Sequence, residues 1–212
     1  MMKALLLVDL QNDFLPGGAL AVPGGDEVLP LANRLQGRFE LVVATQDWHP
    51  ADHVSFAANH PGKKPGDVIS LDGAQQVLWP VHCVEHTRGA ELAAALDQRP
   101  IRRAFFKGAD PQIDSYSGFY DNGRRRSTGL GEYLREQGAG EVYVLGLATD
   151  YCVKATALDA RQLGFETWLI ADACRGVNLK LGDAERAIEA MQAAGVKLVS
   201  SDALANRTIG EA

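Results

Sequence analysis

Cysteine is scarce in this chain: Cys83, Cys152 and Cys174 are the only three in 212 residues, and no CxxC pair occurs. An odd count without paired spacing excludes a disulfide framework, so each is read as a free thiol and the chain is assigned to a reducing compartment, the cytoplasm. Long apolar runs are missing too. The opening MMKALLLVDLQ is far too short to span a bilayer and ends in Asp9 without a small-residue cleavage site, so no membrane anchor or leader is expected. Lys and Arg number 21 against 27 Asp and Glu, scattered rather than striped, for a formal charge of -6. That distribution argues against nucleic acid as a partner and suits a small, uncharged ligand. No internal repeat or low-complexity segment is visible.

The remaining composition, 46% hydrophobic and 23% charged, is that of a globular chain long enough for one domain with an enclosed cleft. Six strand-length aliphatic runs recur: KALLLVDL, FELVVATQD, RRAFFKG, EVYVLGLATD, FETWLIAD and GVKLVSSD. Helical spacing lies between several of them, as in Val28, Leu31, Ala32 and Leu35 before Gly37, and Ala184, Ala187, Ile188 and Met191 before Gly195. Runs apolar on both faces, alternating with amphipathic helices, predict a parallel sheet covered on both sides, a three-layer α/β/α sandwich over residues 1–212. The runs end on Asp9, Asp47, Lys107, Thr149 with Asp150, Asp172 and Ser200. In a parallel sheet those ends share one edge, where ligands bind. Asp172 and Ser200 read as turn or cap residues, and Arg124 to Arg126 as a solvated turn. The stretch from Trp48 to about Arg88 is rich in Gly, Pro and His and breaks the βα rhythm, so it reads as a lid carrying ligands.

In LGLATDYCVKATALDARQLG, Thr149 or Asp150 can cap a helix running to Gly164, with Cys152 in its first turn. Free N–H groups and the helix dipole there favour a thiolate and could hold an oxyanion. A lone cysteine is otherwise a small buried hydrophobe, the reading given to Cys83 and Cys174. Asp9 and Lys107 should reach the same edge, where an acid can move a proton and an ammonium can stabilise anions, unless the two form a simple ion pair. Asp47 and His49, two apart at a strand end, can point to one side, although a lone Asp-x-His pair is a weak signal.

The segments VDLQNDFLPGGALAVPGG, TQDWHPADHVSFAANH, LWPVHCV, FFKG, YSGF and GLATDYCVKATALDA together resemble the nicotinamidases, or pyrazinamidases, of the isochorismatase-like cysteine hydrolases, nearly end to end. The resemblance implies a six-stranded, mainly parallel sheet with a metal-binding insert at about 47–88, and hydrolysis of nicotinamide to nicotinate and ammonia in NAD salvage, with pyrazinamide as a further substrate. It implies a triad of Asp9, Lys107 and Cys152, a ring slot of Phe14, Trp79 and Tyr116, and an oxyanion hole from the N–H groups of Ala148 and Cys152, with a cis Leu147–Ala148 bond. It further implies one divalent ion on Asp47, His49 and His82, zinc first and iron or manganese as alternatives, with no organic cofactor. His53 is left as an optional ligand or a group behind the ligands, and His60 and His86 as loop histidines. Nicotinamide is the expected partner, with neither nucleic acid nor membrane, in a monomer or homo-oligomer. The rival readings are an amidohydrolase of the same superfamily acting on a carbamoyl or ureido group, isochorismatase itself, and a non-catalytic metal-binding domain.

Overall fold

The computed structural model describes residues 1–71 and 73–206. All six predicted runs form strands: β1 (Met2–Val8), β2 (Leu41–Asp47), β5 (Ile101–Lys107), β6 (Ala139–Leu147), β7 (Glu166–Arg175) and β8 (Lys197–Val199). They make one parallel sheet in the order β5-β2-β1-β6-β7-β8. β2 is buried along its whole length and β1 from Ala4 onward, which is why their sequences are apolar without alternation.

Helices flank the sheet. α1 (Val28–Gln36) buries Val28, Leu29, Ala32 and Leu35 at helical spacing and packs on α5 (Ser201–Ala205) and β7. α3 (Lys154–Gln162) packs on β6, β7 and α4 (Asp183–Ala193), while α2 (Leu130–Glu136) lies against β6. Ser200 is a cap residue, holding α5 through the Ala203 N–H, whereas Asp172 lies within β7, which runs on to Arg175, and accepts from the N–H and hydroxyl of Ser201.

Three local expectations change. The helix after β6 is not capped by Thr149 or Asp150; Ala148 holds the cap position, and a π-helical turn, Thr149–Val153, precedes α3. Asp150 instead accepts the N–H groups of Val177 and Asn178, in the loop before α4. The irregular segment beyond Trp48 runs to Pro100 and holds a hairpin, β3 (Val68–Leu71) with β4 (Ala74–Val77). The arginine turn is exposed yet tied down: Arg124 pairs with Asp159 and Arg126 with Asp110. Among the described residues no helix is long and apolar enough to cross a membrane.

Candidate active site

Four neighbouring strands deliver the polar groups to one edge. Asp47 and Lys107 stand opposite each other at the ends of β2 and β5, Asp9 follows β1, and Cys152 lies in the turn after β6. Asp9 adopts φ 52°, a left-handed conformation that few non-glycine residues take. Its Oδ1 accepts from the Thr45 hydroxyl at 2.6 Å. The Lys107 side chain, wholly buried, lies 2.9 Å from Asp9 Oδ2 and 2.5 Å from Asp47 Oδ1. Lys107 Nζ also donates to Ser115 O at 3.0 Å and to Cys152 Sγ at 3.2 Å. One carboxylate oxygen each of Asp9 and Asp47 and the Cys152 sulfur lie within 4.8 Å of one another. Asp9, Lys107 and Cys152, distant in sequence, therefore meet at one point.

The protonation states follow from burial and charge. Burial pushes the Cys152 thiol well above the ordinary cysteine value, against the pull of Lys107. Desolvation thus opposes the thiolate expected at the helix start, while Lys107 favours it. Burial also raises Asp9, with the like charge of Asp47 adding to it and Lys107 opposing. Burial would lower Lys107, but the carboxylates of Asp47 and Asp9 hold its ammonium well above the usual lysine range.

Beside this group, Asp47 Oδ2 sits 3.8 Å from His49 Nε2 and 3.9 Å from His82 Nε2, too far for hydrogen bonds. Each imidazole turns its other nitrogen to a backbone carbonyl, His49 Nδ1 to Gly108 O and His82 Nδ1 to Pro80 O, both at 2.8 Å. Nδ1–H is then the donor, and both Nε2 lone pairs face Asp47. This donor set fits a divalent transition ion: two imidazole nitrogens oriented by carbonyls, plus a carboxylate; burial disfavours charge on His49, but Asp47 raises its pKa above the ordinary imidazole value. Burial and His49 lower His82 to about 4, so it is neutral near pH 7. Gly108 permits the arrangement, since at φ 64° a Cβ there would lie 2.4 Å from His49 Cε1.

A small cavity opens beside both groups, lined by Phe14, Trp79, Tyr116, Ala148 and Cys152 together with Asp47, His49 and His82. The Leu147–Ala148 bond is cis. His53 stands apart from the Asp47, His49 and His82 group, within 4.8 Å of His49 and Asp114 instead. His60 is half-buried with Nε2 on Val54 O, and His86 is exposed beside Trp48. Cys83 and Cys174 are buried thiols.

Sequence reasoning missed several contributors. Gln11 is buried and clamps the Asp47 backbone: its Oε1 accepts from Asp47 N and its Nε2 donates to Asp47 O, each at 2.8 Å. Asp114, Tyr151, Leu20 and Val177 also line the cavity. Gln11 lay within the VDLQNDF segment without being marked as a site residue, and nothing local marked Asp114.

The isochorismatase domain family matches residues 3–203. A nicotinamidase of Escherichia coli (strain K12) is 54% identical over 200 residues, covering 92% of this chain and 93% of the relative. The solved structure of a nicotinamidase pyrazinamidase from Acinetobacter baumanii superposes with a TM-score of 0.93 at 50% identity, covering 95% of this chain and 97% of that one. A pyrazinamidase of Pyrococcus horikoshii, solved in complex with zinc, gives 0.77 at 40% identity, covering 94% and 99%. The chain belongs to the isochorismatase domain family, and within it stands with the nicotinamidases.

Proposed function

We propose that this chain, read as one hydrolase domain, hydrolyses nicotinamide to nicotinate and ammonia through a thioester on Cys152, and accepts pyrazinamide by the same chemistry, in NAD salvage. The observation that carries this reading is the Lys107 ammonium, which lies within 3.2 Å of Asp9 and Cys152 under a cavity faced with aromatic rings. The names of the relatives supply the substrate class.

In the free site Asp9 and Cys152 compete for a proton, both being raised by burial. Asp9 takes the thiol proton as the sulfur adds to the carboxamide carbon, and Lys107 stabilises the charge on both partners. Phe14, Trp79 and Tyr116 hold the flat ring between apolar faces. The N–H groups of Ala148 and Cys152 stabilise the oxyanion, each such donor contributing roughly 3 kcal/mol. Asp9 returns the proton to departing ammonia, leaving the thioester, then deprotonates water that releases nicotinate. Asp47, His49 and His82 would hold the divalent ion, which when bound supplies a Lewis acid that anchors the ring nitrogen.

Ammonia release from nicotinamide, measured on zinc-loaded, chelated and Cys152→Ala protein, tests the proposal. Turnover by the loaded wild type alone is expected. Absence of turnover there removes the substrate assignment, and activity surviving in Cys152→Ala removes the nucleophile.

A further inference from the structure

Asp114 has no part in the chemistry above, yet it is buried in the cavity wall, seven positions beyond Lys107 in sequence. Its Oδ1 accepts from Ser115 N and its Oδ2 from Gln76 Nε2, both at 2.8 Å. Gln76 is the buried residue of an otherwise largely exposed strand, β4, so the hairpin points one amide inward to hold this carboxylate. A carboxylate oxygen accepts two hydrogen bonds, and each oxygen of Asp114 has one acceptor site left over. One of these oxygens lies within 4.8 Å of a nitrogen of His49 and a nitrogen of His53.

His53 supplies an independent sign of a ligand. It is fully buried; its Nδ1 accepts from Ser55 N at 3.3 Å and is engaged by Ser55 Oγ at 2.7 Å, so Nε2 carries the proton, and among the described residues it has no partner at hydrogen-bond distance although the Ile113 backbone also acts on the ring. Leaving such a nitrogen unmet costs about 1–3 kcal/mol, so a buried orphan of this kind marks a place where something else binds. Charge points the same way, since the buried carboxylates of Asp47 and Asp114 both line the cavity, while the Lys107 ammonium beside Asp47 is shared with Asp9. A divalent cation compensates that surplus.

Two separate ions are excluded by His49. Its Nδ1 is committed to Gly108 O, which leaves Nε2 alone for coordination. The His49, His53 and Asp114 group therefore serves the same ion as Asp47, His49 and His82. The geometry points to Asp114, oriented by Gln76, as a further positioning residue of the cation site, completing its polar rim together with His53. This rests on the metal reading given under the proposed function.

The test is zinc affinity, measured by competition with a chromogenic chelator on metal-stripped wild type, Asp114→Asn and His82→Ala. Asp114→Asn keeps the shape and removes the charge. It is expected to weaken zinc binding about 10- to 100-fold, the range for groups that support metal ligands. The zinc-induced rise in the unfolding midpoint should shrink relative to wild type, and the visible spectrum of the cobalt(II)-loaded variant should shift. If Asp114→Asn does not fold, Asp114→Ser is held to the same criteria. Zinc affinity of the variant within twofold of wild type, with His82→Ala strongly impaired, overturns the role of Asp114. A wild type that binds no zinc instead overturns the metal reading on which it stands.

Discussion

Replacing Asp9 by asparagine separates the proton-transfer role of this side chain from its structural role. The amide has the same outline, and rotation of its oxygen toward Lys107 leaves the NH₂ to donate to Thr45 Oγ1, the atom now 2.6 Å from the carboxylate. The fold should therefore tolerate the change. The lost attraction to Lys107, 2.9 Å away, is offset because burial already raises the Asp9 pKa and penalises its charge. Asp47 remains 2.5 Å from the ammonium, so Lys107 keeps a counter-ion. Stability should thus move by no more than about 2 kcal/mol, well short of the roughly 3–5 kcal/mol for an orphaned buried charge. Activity should behave differently. Asparagine can neither take the thiol proton nor return it to ammonia, and a positioned acid–base group is worth about 10²–10⁴ in rate, roughly 3–5 kcal/mol of barrier. The assay is ammonia release under single-turnover conditions, paired with urea denaturation. Turnover within tenfold of wild type, in a protein of unchanged stability, would refute the assignment of Asp9.

Other perturbations reach different parts of the site. Gln11→Leu leaves the Asp47 N–H without its buried acceptor and should destabilise the chain by about 2–4 kcal/mol in urea titration; a loss under 1 kcal/mol would contradict the clamp. Gly108→Ala drives a methyl into the His49 ring and should lower zinc affinity at least tenfold by chelator competition, an effect absent if His49 does not ligate. Because burial raises the Cys152 thiol, iodoacetamide should label metal-free protein at pH 8 more slowly than free cysteine, with the rate climbing as pH rises. The sign follows from the pKa: the reactive thiolate is scarce below it and accumulates only as pH approaches it. Labelling as fast as free cysteine at pH 8 would place the thiol pKa near or below its ordinary value.

The centre of the sheet was legible because β1, β2 and β6 are buried on both faces, and runs such as LLLV and LVVA have no solvent side to encode. The principal polar groups were legible because Asp9, Asp47 and Lys107 punctuate those runs at the one edge a parallel sheet offers for binding. What escaped is set by tertiary contact. Gln11 is conspicuous only once β2 lies beside β1, and Gly108 only once His49 is known to sit against it. Asp150 has the residue type of a cap, but the loop at Val177 and Asn178 claims its carboxylate. The β3–β4 hairpin hid behind two strands of only four residues each, although Asp72–Gly73 is a turn signal that could have located it. The raised thiol pKa was missed because helix position is local while desolvation is a property of the assembled fold.

The central claim is that the sulfur of Cys152 carries the acyl group. Rapid acid quenching of the zinc-loaded enzyme during turnover of nicotinamide, followed by peptide mass spectrometry, tests it most directly. The account predicts one nicotinoyl group on the peptide bearing Cys152, and none on those of Cys83 or Cys174. Steady turnover by Cys152→Ala, with no acyl peptide anywhere, would contradict it.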